Sequence, residues 1–105
     1  MAQFDVFENP SPRAREGFPY LVDMQSTQLR QLPTRLMMPL QRLSRAPVGL
    51  PRRLGMAVTI EGERLYLAPH QCAAVPLKLL GKPLLSLSTD QHVLRDALDA
   101  VVSGV

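Results

Sequence analysis

Residues 57–68 read AVTIEGERLYLA, and this stretch decides the fold. Val58 and Ile60 alternate with Thr59, and Leu65 and Leu67 alternate with Tyr66. A period of two is that of a strand with one buried face. Glu61-Gly62 supplies the turn between the two runs, since glycine reaches positive φ without a steric penalty. The stretch is therefore a β-hairpin.

The same reading extends in both directions. QFDVFE (3–8) alternates, with Phe4 and Val6 on one side and Asp5 on the other, and predicts a strand near a sheet edge. NPSPRAREG (9–17) is a loop, longer than a hairpin connection needs, and surplus loop length often serves interaction. FPYLVDMQS (18–26) predicts a second strand and TRLMMPL (34–40) a third. Pro39 lacks the N–H that a central ladder uses, so the third strand is expected at an edge, or to end there. SRAPVGLPRRLG (44–55) is irregular, and AVPLKLLG (74–81) is one more short strand, again with a proline, Pro76.

Only the last part of the chain has helical spacing. Leu94, Ala97, Leu98 and Val101 share one face, and Arg95, Asp96 and Asp99 lie away from it. Ser88 and Gln91 have the spacing of a capping box, and Asp90 suits the positive end of the helix dipole. Burying Leu94, Leu98 and Val101 at about 1.5–3 kcal/mol each would dock the helix on the sheet. The expected architecture is one domain over 1–105, mainly β and antiparallel, a small barrel or sandwich closed by one C-terminal helix.

Composition narrows the class. A length of 105 residues suits one domain, and 46% hydrophobic content argues against wholesale disorder. No apolar run approaches the roughly 20 residues that span a bilayer, and the first residues lack the basic region of a secretory signal. Cys72 is the only cysteine, which rules out an internal disulfide and fits a reducing compartment. These features lead us to expect a soluble, cytoplasmic protein.

The net charge of +3 is unevenly spread. No acid occurs between Met24 and Ile60, where Arg30, Arg35, Arg42, Arg45, Arg52 and Arg53 all fall. Such asymmetry suits either an anionic partner, nucleic acid or acidic protein, or simply a solvated face. The preponderance of arginine over lysine favours planar, forked contacts.

Catalytic patterns are sparse. His70 and Cys72 in APHQCAA are two apart, but a structural zinc site takes four ligands and no second pair has suitable spacing. Proximity in sequence does not make a Cys–His dyad. No Gly-rich phosphate loop, nucleophile elbow or working carboxylate pair is present. Stacking readout of single strands would want more aromatic platforms than Phe4, Phe7, Phe18, Tyr20 and Tyr66 offer.

QFDVFEN, FPYLVDMQS, TRLMMPL, the Ile60-to-Leu67 hairpin, AVPLKLL and an LS opening a final helix together resemble the CcdB family, toxins of type II toxin–antitoxin modules. The resemblance runs from Gln3 to Val105, with LVDMQS and RLMMPL its most specific parts. It implies an SH3-like antiparallel β barrel of the CcdB/Kid kind with a C-terminal helix, in a homodimer. It implies no enzyme, metal or cofactor, but a poison that binds the DNA gyrase A subunit and traps the gyrase–DNA cleavage complex.

The family presents its last residues to gyrase, which here are Ser103, Gly104 and Val105. The best-known member ends Trp-Gly-Ile, so serine replaces a large aromatic anchor in this chain. A glycine there also reads plainly as a helix C-cap. The antitoxin would be CcdA-like, with an acidic segment that folds on binding. Arg13 and Arg15 in the loop, with Arg42, Arg45, Arg52 and Arg53, are its expected receptors. DNA would be met only through gyrase or the antitoxin. Met37, Met38 and Val102 are apolar residues that a single copy is expected to leave wanting cover. Two rivals keep the fold: a Kid/MazF-like RNA endonuclease, whose acid, base and phosphate-binding set Asp23, His70 and the arginines do not assemble, and a degenerate toxin that only binds antitoxin.

Overall fold

The computed structural model describes residues 2–42 and 56–103. Seven strands occur among them: β1 (Asp5–Glu8), β2 (Tyr20–Asp23), β3 (Thr34–Arg42), β4 (Ala57–Ile60), β5 (Glu63–Leu67), β6 (Ala73–Pro76) and β7 (Leu85–Ser86). They form one antiparallel sheet in the order β4-β5-β3-β2-β1-β7, with β6 also paired to β3. The sheet curls into a half-barrel, and the helix α1 (Gln91–Ser103) follows it. The mainly β reading with one C-terminal helix therefore holds.

The hairpin forms as its sequence dictates. Ile60 pairs with Glu63, and the two residues between them, Glu61 and Gly62, have φ of 51° and 80°. Positive φ at both central positions is the turn whose twist matches that of the flanking strands. Val58, Ile60, Leu65 and Leu67 are all buried.

Pro39 is placed differently from expectation. β3 is the longest strand and lies in the middle of the sheet, paired on one side with β2 and on the other with both β6 and β5. β6 reaches Met37 and β5 begins at Leu40, so Pro39 falls at the gap between them. Its carbonyl accepts from the Ala68 N–H at 3.0 Å, across that gap. A residue's N–H and C=O point to the same neighbour in an antiparallel ladder, so the missing donor faces an interruption rather than a partner.

Met37 and Met38 are both buried within the single chain, contrary to the expectation that they need outside cover. Successive strand residues face opposite sides. Met38 joins Val6, Val22, Leu40, Leu65 and Leu94 in the main core, while Met37 packs with Phe7 and Leu21 on the other face. Val75 and Leu80 pack against this second cluster.

The helix departs from expectation at both ends. Ser88 opens a 3-10 turn, Ser88–Asp90, whose cap position is Leu87 with no side-chain bond, so the Ser88–Gln91 box does not form. Ser86 Oγ instead accepts from the Ser88 N–H at 3.2 Å. Leu94 and Ala97 are buried and Leu98 packs against the core. Val101, expected to be buried, is 38% exposed, because the helix has passed the core by its last turn. No helix among the described residues is long and apolar enough to cross a membrane.

Candidate functional site

Two regions carry the residues singled out by sequence: the end of α1, and the ground between the first loop and the end of β3. The helix is placed by what lies under its first turns. Phe4 has φ of 73°, a backbone state that bulky residues seldom adopt. Its N–H donates to the Asp23 carbonyl at 2.6 Å, and its carbonyl accepts from the Leu87 N–H at 2.9 Å. Phe4 thereby ties β2 to the residue just before the helical segment. Its ring is buried, and the Arg95 guanidinium sits 5.4 Å from the ring centroid. That separation is in cation–π range, so the helix is fixed in rotation as well as docked.

Beyond Leu98 the packing stops. Val102 is 79% exposed, beside the partly exposed Val101. The last described turn thus offers apolar side chains to solvent immediately before Ser103, the final helical residue. Gly104 and Val105 lie outside the described residues.

The second region is organised by Asn9, which is buried. Its Nδ2 donates to the Phe18 carbonyl at 2.9 Å and its Oδ1 accepts from the Ser11 N–H at 3.0 Å, so one side chain closes the loop at both ends. Arg13 is exposed on this loop. Arg15 donates from Nε to the Asn9 carbonyl at 2.6 Å and lies 3.3 Å from Glu8 Oε1. Arg42 donates from Nε to the Glu16 carbonyl at 2.9 Å and pairs through Nη1 with Glu63. Loop and strand end are thus brought together, with Arg15 and Arg42 both bound to carbonyls of the loop on which Arg13 is exposed. Both pairs are exposed ion pairs of the kind worth about 0–1 kcal/mol, so a competing carboxylate can replace either internal partner at small cost. Arg45, Arg52 and Arg53 lie outside the described residues.

Arg35, which the charge pattern grouped with the surface arginines, is buried. Its Nε is 3.6 Å from Asp23 Oδ2, and its Nη groups donate to the Leu29 and Arg30 carbonyls at 3.3 and 3.0 Å. Gln25 works beside it, donating to the Leu29 carbonyl and accepting from the Leu36 N–H. Asn9 and Gln25 are structural supports that sequence reasoning passed over, and Arg35 is one that it read as a surface charge. The local signals were an Asn before a proline-rich loop and a lone arginine inside an apolar strand.

The catalytic alternatives gain little. Asp23 is buried, and burial raises its carboxyl above the ordinary value against the lowering effects of the Gln25 N–H and Arg35. Burial pushes the Cys72 thiol up to about 11, so at neutral pH it is not the thiolate a nucleophile needs. His70 is exposed on the 3-10 turn Pro69–Gln71 and approaches Gln71, not Cys72. Among the described residues no group of three His, Cys, Asp or Glu could hold a metal ion.

The geometry thus consists of a sheet-docked helix with an undocked apolar end, and a loop-and-strand cluster of arginines. A model of the CcdB protein family matches residues 3–104. No curated protein matches the chain.

Proposed function

The chain belongs to the CcdB family, and from that premise we propose that it poisons DNA gyrase. It is a toxin of a toxin–antitoxin system. In our reading, a homodimer in the bacterial cytoplasm presents Ser103, Gly104 and Val105 of each copy to the gyrase A subunit. Glycine permits close approach, and the terminal valine is one apolar knob per chain. The complex holds gyrase on cleaved DNA and makes or breaks no bond itself.

The observation that supports this reading is the division of α1. Leu94 and Ala97 hold the helix to the sheet while Val101 and Val102 leave it, so the last described turn is carried on a docked helix yet stays uncovered in the single chain. A rigid support limits the entropy lost on binding. Neutralisation, on the same reading, comes from an acidic CcdA-like segment laid over Arg13, Arg15 and Arg42, with Arg45, Arg52 and Arg53 contributing.

Incubation with gyrase and supercoiled plasmid, followed by denaturation of the enzyme, tests the proposal. Linear DNA is expected. Cleaved RNA in a parallel reaction, without linear DNA, favours the Kid/MazF-like reading. Neither product, together with normal growth of a gyrase-sensitive bacterium, favours a degenerate toxin.

A further inference from the structure

The 3-10 turn Leu77–Leu79 and the residues after it divide their apolar side chains between two destinations. Val75 and Leu80 pack on the Phe7–Leu21–Met37 cluster. Leu79 and Leu84 do not, and are 53% and 52% exposed. Both instead line a cleft of about 440 Å³ between this segment and the end of β1. The Leu84 N–H donates to the Val6 carbonyl at 2.7 Å, which fixes that wall to the sheet. Scattered exposed leucines need no explanation, but two that share a cleft form a patch. The clefts beside Thr27–Gln31 and along the start of α1 are lined by polar and charged residues only.

The charged walls select among occupants. Arg15 and Lys82 line the cleft, and the one acid there, Glu8, is already paired with Arg15. Arg15 is held in place by the Asn9 carbonyl. Lys82 is exposed and has no ion-pair partner among the described residues. Positive charge beside two aliphatic surfaces complements a chain that interleaves carboxylates with aliphatic side chains. A second copy of this net-basic chain would match the leucines but not the charge.

We propose that the cleft bounded by Leu79, Leu84, Arg15 and Lys82 seats an acidic, aliphatic-bearing segment of the antitoxin. The inference rests on the antitoxin reading above and adds to Arg15 the residues Leu79, Leu84 and Lys82, which the arginine pattern did not indicate. Leu79 and Leu84 take the segment's apolar side chains, and Lys82 and Arg15 take its carboxylates. The loop carrying Arg13 borders the same place, so one continuous segment reaches both.

Gly81 gives a clean test. It lines the cleft, a Cβ built on it meets nothing within 4 Å, and its φ is not one that penalises other residues. Gly81→Leu therefore adds a side chain at the cleft wall where the backbone accepts one, and circular dichroism checks that the fold is kept. The probe is a fluorescent peptide with Glu and Leu in alternation, with its Lys-for-Glu counterpart as control. Wild-type chain should bind the acidic peptide only, and Gly81→Leu or Lys82→Glu should weaken binding about tenfold or more. Equal binding by wild type and both variants overturns the cleft, as does equal binding of the two peptides. A change in oligomeric mass on Gly81→Leu overturns it in favour of a contact between copies.

Titration with the module's own antitoxin separates the two claims. Undiminished binding by Gly81→Leu removes the cleft alone, whereas no binding by wild type removes the antitoxin reading itself.

Discussion

Asp23 and Arg35 face each other across β2 and β3, with Oδ2 and Nε 3.6 Å apart and both side chains buried. The pair does more than neutralise itself. The same guanidinium holds the carbonyls of Leu29 and Arg30, while Asp23 Oδ1 accepts from the Gln25 N–H at 2.9 Å. Leu29 and Leu32 stay exposed on the turn above, so a charged post inside the fold sets the position of a surface segment.

Removing one member leaves the other without its charge partner in a desolvated place. Arg35→Ala should cost about 3–5 kcal/mol in urea denaturation. It should also raise the Asp23 carboxyl further, because a lowering influence is lost. A stability loss below about 1 kcal/mol would show that the pair is not the support described here.

The pH dependence of Asp23 has a definite sign. Its folded value is raised, chiefly by burial, so between the ordinary carboxylate value and that raised value the native state holds a proton that the unfolded chain has released. The contribution is fully present below the unfolded value and is lost as pH rises through the folded one. Stability of Asp23→Asn relative to wild type should therefore climb with pH across that window. A relative stability that falls there instead contradicts the buried, raised carboxyl.

The β4–β5 turn holds a glutamate at φ 51°, where asparagine is better tolerated. Glu61→Asn should stabilise the fold by about 0.5–1 kcal/mol, while Gly62→Ala at φ 80° should cost about 1 kcal/mol. Melting curves that move in the opposite directions would mean a different turn.

The two ends of α1 should respond differently. Leu94→Ala, in the core, should cost about 2–5 kcal/mol of stability. Deleting Gly104 and Val105 should leave stability and antitoxin binding nearly intact and abolish gyrase trapping. A truncated chain that traps gyrase as well as the full one would place the contact elsewhere.

Antitoxin affinity should fall with salt, since exposed guanidinium groups are screened within a Debye length of about 10 Å at 0.1 M. Arg13→Glu should weaken binding mainly through a slower association rate. An affinity indifferent to salt would argue for an apolar interface.

The hairpin was legible because its information is local: a two-residue turn between alternating runs. Pro39 was misread because its tolerance depends on where two other strands stop, which no local pattern records. Val101 was misread for a related reason, since periodicity gives the face of a helix but not where the core beneath it ends. The Ser88–Gln91 spacing was real, but the residues enter a 3-10 turn before the helix. Met37 and Met38 needed knowledge of both faces of β3. Arginine counting grouped Arg35 with the rest of the acid-free stretch, but Arg35 is buried against Asp23, a long-range partner that no local pattern records.

One pairing described above bears on how the molecule is made. Asp5 and Val6 lie beside Ser86 and Leu85, so β1 is flanked by β7, a strand far from it in sequence. β1 can join β2 as soon as both exist, but its outer side waits for β7. The Leu87-to-Phe4 bond, and the Arg95 placement over that ring, wait with it. The helix α1 therefore takes its seat late in folding, once β7 has closed against β1.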